Sequence, residues 1–347
     1  MKFRVLSLFL LVALLVSFAV ACKPLTDPKD TAEAPTGAPT EAPTETSETP
    51  VTPVDINVYT MNGTTGFGMA KLMEDAANGA FKTEKYTFDV KTDFAKEVLP
   101  ALINGDADIA AIPTNGASIA YNKTQGKVKV LAVNTLGCLY VIGKTEIASF
   151  ADLDGKTVYA PAQNPTFIFK YLCGQNNVNV TIDNQYSAPA DLVAAVAAGK
   201  VDYAVLPEPM ITVAKAKNAD LKVSLDLTAE WNKLDGKQDT LVQGCVVVRT
   251  AFLEAHPEAV ANFLSAYEAS VNYVNTNTEE AADLIVKHGI FAQAPVAKKA
   301  IPKCNIHFVA GEDMKTAMNT YLTILSGINA SAIGGKVPDD AFYYLGK

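Results

Sequence analysis

The strongest constraint on this chain is a pattern that occurs twice. Leu99 to Pro113 reads LPALINGDADIAAIP, and Val193 to Pro207 reads VAAVAAGKVDYAVLP. Gly105 and Gly199, Asp108 and Asp202, and Pro113 and Pro207 all stand 94 residues apart. Each unit reads as a helix stopped by glycine, a short turn, a buried strand, and a proline at the strand's carboxyl end. A second echo lies upstream, where Val58-Tyr59 precedes Phe67 and Val158-Tyr159 precedes Phe167, offset by 100. Alanine-rich stretches match one another readily, but composition alone does not explain two echoes in the same order. They imply two similar α/β lobes.

The intervening pattern supports this. Strands are expected at Ile56–Tyr59, Tyr86–Val90 and Asp108–Ile112, with helices over Phe67–Ala77 and Lys96–Asn104. Such alternation predicts parallel α/β architecture. Two apolar strands, near Val130–Lys144 and Leu241–Arg249, stand where the chain would pass between lobes. Lobe one is therefore expected over 54–136 and again over 244–347. Lobe two, with the hinge strands, falls within 137–243. Pro257–Asn275, Thr278–His288 and Asp313–Ser326 carry helical apolar spacing and complete lobe one. A chain of 347 residues is long enough for two such units.

The amino terminus says where the protein works. Residues 1–21 read as an export signal, with Lys2 and Arg4 first, an apolar run from Leu6 to Val20, and small residues before Cys22. The run falls short of the roughly 20 residues a membrane span needs. A cysteine directly after small residues resembles the lipobox of bacterial lipoproteins, and that resemblance implies acylation at Cys22 and a membrane anchor. Residues 22–53 repeat APT and lack aromatics, a composition unable to offset its ordering entropy, so they read as a disordered tether reaching at most ~100 Å. Loss of Lys2 and Arg4 with the signal turns 29 basic residues into 27 against 37 acidic ones, a net charge of −10. That balance argues against a nucleic-acid partner. Arg249 is then the single arginine left, so a bound anion would rely on backbone N–H groups, hydroxyls, amides and lysine. Cys138, Cys173, Cys245 and Cys304 show no CxxC spacing, and since spacing alone assigns no disulfide they are expected as buried thiols.

Taken in order, the lipobox, ALINGDADIAAIPT, SFADLDGKTVYAP, AAVAAGKVDYAVLPEP and VVVRTAFLEAHPEAVANFL followed by NTEEAADLI resemble substrate-binding proteins of ABC importers. The resemblance is to the group that binds taurine, alkanesulfonates, nitrate and thiamine precursors, and it covers about residues 54–310. It implies an α/β, two-lobe periplasmic-binding-protein fold of type II with two hinge strands. It also implies an anchored, monomeric protein that uses no cofactor and passes a small molecule to permease subunits. It leaves the ligand open among sulfonate, carboxylate and heterocyclic vitamin-precursor classes. The same fold also hosts pyrimidine and vitamin-pathway enzymes and ligand-sensing receptors.

Ligands of open α/β sheets bind beyond the carboxyl ends of the strands. Four loops lie there. One carries Asn62, Gly63, Thr64, Thr65, Gly66 and Phe67, and its counterpart carries Gln163, Asn164, Thr166 and Phe167. Both precede helices, so both are expected to aim electropositive helix starts at one cleft, an arrangement suited to a small oxyanion. Their side chains either cap their own helices or face the ligand. The remaining loops contribute Thr114 and Asn115, and Glu208 between two prolines; Gly137, at the first passage between lobes, is placed with them. Glu208 reads either as the partner of a ligand amine or ring N–H or as an acid capping the next helix. Trp231, like the two phenylalanines, is a candidate for packing on a ligand ring.

Other motifs carry less. Gly143-Lys144-Thr145 and Gly155-Lys156-Thr157 lack the upstream glycine of a phosphate loop. His256, His288 and His307 are scattered, no nucleophile elbow occurs, and no metal site is expected. The anchor is directly testable. Cys22→Ser should shift the protein from the membrane to the soluble fraction on fractionation, and a variant that still pellets would contradict acylation.

Overall fold

The computed structural model describes residues 52–346, so the signal segment, Cys22 and the tether up to Val51 lie outside the described residues. The described chain forms eleven strands in two sheets. In chain order they are β1 (Val54–Met61), β2 (Glu84–Lys91), β3 (Ile109–Pro113), β4 (Val128–Leu136), β5 (Leu139–Gly143), β6 (Thr157–Tyr159), β7 (Thr181–Asp183), β8 (Tyr203–Pro207), β9 (Lys222–Asp226), β10 (Val242–Arg249) and β11 (Ile306–Ala310). Sheet one runs β11-β4-β10-β3-β1-β2, and sheet two runs β7-β6-β8-β5-β9. Read from β2 and from β7, the two orders match over five strands, with β10 in sheet one taking the place of β5 in sheet two and β11 an added edge strand of sheet one.

The 94-residue echo is thus a structural repeat. Gly105 and Gly199 both adopt left-handed backbone, at φ 90° and 70°, and each closes a helix before β3 or β8. The second echo also holds. Gly63 and Gln163, 100 residues apart, precede their helices with the same unusual geometry, φ 77° and ψ −154° against φ 73° and ψ −133°.

The sheets depart from the parallel expectation at three strands. β1 pairs parallel with β2 and β3, and β6 with β7 and β8, but β11 pairs antiparallel with β4, and β10 and β5 enter antiparallel as the chain passes between lobes. The reason lies in connectivity, because a strand arriving directly from the other lobe has no crossover helix to restore its direction. Several helix bounds move as well. The helix expected over Phe67–Ala77 is two pieces, Thr64–Phe67 and Ala70–Ala77. They part beside Gly68, where a side chain would press on the Tyr267 hydroxyl and Val271. Pro257 opens a 20-residue helix, as its fixed φ favours.

The chain leaves sheet one from β4 through Gly137-Cys138 and returns to it along β10. A Cβ on Gly137 would lie 2.1 Å from the Thr228 hydroxyl and 2.6 Å from a Leu241 methyl. The outgoing and returning segments therefore touch at a point with room only for hydrogen. Gly137 is enclosed there, and its carbonyl accepts from Asn305. Its role is close packing, so its expected place among ligand contacts is corrected.

At the pole of lobe one, away from the carboxyl end of β3, Asp108 is 5% exposed. It accepts from Arg249 Nη2 at 2.6 Å and from the Asn57 N–H at 2.9 Å, while Arg249 Nε donates to the Ala107 carbonyl. The sole arginine of the described residues is thereby committed to tying β10 to β3 and β1.

The C-terminal segment straps lobe one. Ser118 donates to the Ile333 carbonyl at 2.7 Å, Tyr121 to Asp339 at 2.5 Å, and the Tyr344 N–H to the Val130 carbonyl at 2.9 Å. Gly137→Ala should overpack the crossing and lower stability by about 1–3 kcal/mol in chemical denaturation. An unchanged midpoint would show that the two segments do not pack as described.

Candidate functional site

A cavity of about 510 Å³ lies between the carboxyl ends of β1 and β3 on one side and β6 and β8 on the other. This is where the strand directions place it. Of the residues expected at the ligand, Asn62, Gly63, Thr64, Thr65, Asn164 and Glu208 line it.

Direct bonds join the two lobes around it. Thr64 Oγ1 donates to the Glu208 carbonyl at 2.7 Å. Asn164 Nδ2 donates to Asn115 Oδ1 at 2.8 Å, and Asn115 in turn donates to the Ala332 carbonyl of the C-terminal strap at 3.1 Å. On the flank, the Tyr140 hydroxyl donates to the Lys303 carbonyl at 3.1 Å. Asn115 thus acts as a relay between the strap and lobe two. Buried Asn134 steadies the opposite wall by donating to the Thr65 carbonyl at 3.0 Å.

The remaining expectations are corrected by burial and by local bonding. Phe67 is fully buried in the core of lobe one, edge-on to Phe291. Gly66 is buried beside it, where a Cβ would meet the Met61 carbonyl at 2.2 Å. Thr114 is fully buried against the Cys245 thiol. Gln163 is exposed, lies outside the lining and holds a left-handed backbone, φ 73°, at the start of its helix. Thr166 donates to the Pro161 carbonyl and accepts from Asn184, closing its own loop. Phe167 is half-buried on the core beneath. Trp231 is no ligand platform either, being fully buried with Nε1 bonded to Thr240 and its ring between Tyr171 and Tyr321.

The paired helix starts are also weaker than expected. The helix after Gly63 is a single turn of four residues, too short to sum a macrodipole of ordinary size. The N–H groups of Asn62 and Gly63, which precede that turn, are taken by the Lys91 and Ile290 carbonyls, at 2.8 and 3.0 Å, so any N–H of this loop that faces the site comes from the turn itself, from Thr64 onward. In lobe two, Pro165 removes an N–H from the first turn. Among the described residues lining the cavity there is no lysine, arginine or histidine.

Glu208 lines the cavity and also holds the start of the next helix. It is 1% exposed and lines the cavity, yet its carboxylate accepts from the Thr212 N–H at 3.1 Å and the Thr212 hydroxyl at 3.0 Å. It therefore caps the helix Met210–Lys217 from within. Burial pushes its pKa above the ordinary value of 4.5, with the Thr212 bonds pulling the other way.

Phe291, Met210, Gln243 and Thr92 complete the chemistry of the wall. Thr92 directly follows β2 and was accessible to the strand-end rule. Gln243 faces the site because its Oε1 accepts from the Cys138 N–H at 2.7 Å, a bond across 105 residues. Phe291 sits on a loop beyond the helix Thr278–Lys287 with no local signal. Among the described residues no group of three His, Cys, Asp or Glu side chains is placed to hold a metal ion, and no helix is long and apolar enough to cross a membrane.

Two strand-matched sheets closing on a shared cavity define the periplasmic-binding-protein class of fold. Solved structures agree. An ABC transporter protein from Parabacteroides distasonis is 25% identical, with a TM-score of 0.71 over 84% of this chain and 99% of that one. The periplasmic aliphatic sulphonate binding protein of Escherichia coli is 15% identical, with a TM-score of 0.65 over 83% and 93%. The periplasmic nitrate-binding protein of Synechocystis is 14% identical, with a TM-score of 0.50 over 70% and 69%. The chain belongs to the NMT1/THI5-like family, whose model matches residues 89–281, more than half its length. No curated protein matches the sequence.

Glu208 gives the site a pH signature. With its folded pKa above its unfolded one, its contribution is complete below about pH 4.5 and is lost as pH rises through the folded value. Glu208→Gln keeps an acceptor for Thr212 and removes the titration. Denaturation at pH 4 and pH 7 should show the variant gaining on the wild type at the higher pH. A constant difference would mean that Glu208 titrates as a solvated acid.

Proposed function

We propose that this chain is the extracytoplasmic substrate-binding component of an ABC importer, lipid-anchored at Cys22 and acting as a monomer. In this reading it captures a small organic ligand between its lobes and presents it to permease subunits. The cavity between matched sheets, bridged by Thr64–Glu208 and Asn164–Asn115, is the observation that carries the reading. A ligand touching both walls favours the closed arrangement over any open one, which supplies a signal for delivery. A transport role accords with walls made mostly of amides, hydroxyls, prolines and apolar groups, on which the Cys138 thiol is pushed up to about 12 by burial and by the Glu208 charge and so stays protonated.

The lining also selects among ligand classes. Sulfonate and nitrate carry full negative charge, and burying that charge without a cation or a set of free N–H groups is costly. This cavity has neither lysine nor arginine on its walls, and its one ionisable carboxyl repels anions when charged. Asn62, Asn164, Gln243 and the threonines supply donors and acceptors to a neutral polar molecule, while Phe291 and Met210 supply flat and flexible apolar contact. An uncharged or weakly basic heterocycle, of the vitamin-precursor kind, meets these conditions.

Mass spectrometry of material that co-purifies with the protein should therefore recover a nitrogen heterocycle that saturates one site in calorimetry. Recovery of a sulfonate, or saturable binding of taurine or nitrate in the micromolar range, would overturn the ligand class.

A further inference from the structure

Three Gly-Lys pairs that are far apart in sequence meet at the pole of lobe two, opposite the ligand cavity. Gly143-Lys144-Thr145 ends β5, Gly155-Lys156-Thr157 leads into β6, and Gly199-Lys200 precedes β8. In sheet two these strands are neighbours in the order β6-β8-β5, so their ends are set side by side at the sheet spacing of about 4.8 Å. Left-handed backbone at Gly155 and Gly199 turns two of the corners. The result is a concavity of about 490 Å³ lined by Lys144, Lys156, Lys200, Thr145 and Thr157, with tyrosine rings behind.

The repeat shows what is unusual here. In lobe one the equivalent corner is closed by Arg249 and the nearly buried Asp108, in contact at 2.6 Å. In lobe two the equivalents are Lys144 and Asp202, separated by 3.7 Å, with side chains 49% and 79% exposed. Asp202 is the only acid on the walls, and it opposes three lysines. The pocket therefore keeps a surplus of two positive charges on a chain whose net charge is −8. Where lobe one has a structural pin, lobe two has an open basic pocket.

We infer that this pocket binds a phosphate-type polyanion, held by the Lys144, Lys156 and Lys200 ammonium groups and the Thr145 and Thr157 hydroxyls. Three flexible cationic stems converging with two hydroxyl donors suit a compact multivalent oxyanion better than a monocarboxylate. The same chemistry fits a free phosphorylated molecule and an anionic lipid headgroup. The site is independent of the ligand cavity, and its fate does not depend on what that cavity holds.

The test compares the full-length protein with its K144Q/K156Q/K200Q variant. Inorganic pyrophosphate, titrated calorimetrically at low salt, should bind the wild type saturably and the variant at least about tenfold more weakly, with the wild-type affinity falling as salt rises. Co-sedimentation with phosphatidylglycerol vesicles against phosphatidylcholine vesicles forms the second arm. Pyrophosphate binding lost in the variant assigns a free anion as the source. Preference for phosphatidylglycerol that the variant loses, without a response to pyrophosphate, assigns the lipid headgroup. Wild type and variant behaving alike in both arms overturns the site.

Discussion

Everything in this architecture depends on two passages of chain lying in contact between the sheets. The outgoing segment at Gly137 meets the returning one at Leu241 and Thr228, at a spacing that admits no side chain. At that contact the antiparallel strands β5 and β10 enter their sheets, with matched strand orders on either side. The carboxyl ends of β1, β3, β6 and β8 consequently converge on one volume. Moving the crossings apart would separate the walls of the cavity before any residue on those walls changed.

Electrostatics then divides the molecule by location. The sole described arginine is committed to Asp108 at the pole of lobe one, and the converging lysines stand at the pole of lobe two. Neither reaches the interlobe cavity, which is left with amides, hydroxyls and a buried carboxyl. A binding site with no cation on its walls, where only the Lys303 charge reaches Glu208 from outside, discriminates by hydrogen-bond pattern and shape more than by charge. Removing the complementary group from a buried hydrogen-bonding site leaves a partner unsatisfied, which is a sharper penalty than losing a solvated ion pair.

The sequence made the lobes legible because repetition is a long-range signal in itself. Glycine, aspartate and proline at a fixed offset reported two copies of one unit, and strand ends then pointed to Asn62, Thr64, Asn164 and Glu208. What stayed hidden was the choice of partners across the chain. No local pattern says that the Asn62 and Gly63 N–H groups are taken by Lys91 and Ile290, or that Phe67 turns inward to meet Phe291. Trp231 illustrates the same limit, since an isolated aromatic reads alike whether its indole finds Thr240 or a ligand. Gly-Lys-Thr, dismissed as an incomplete phosphate loop, gained meaning only when sheet order brought two copies together with Lys200.

The carboxyl-terminal strap links the end of the chain to the mouth of the cavity through a single amide. Ala332 orients Asn115, and Asn115 holds Asn164 on the far lobe. The end of the strap at Ala332 and the far lobe at Asn164 are thus two hydrogen bonds apart, a tie between them that bypasses the crossings.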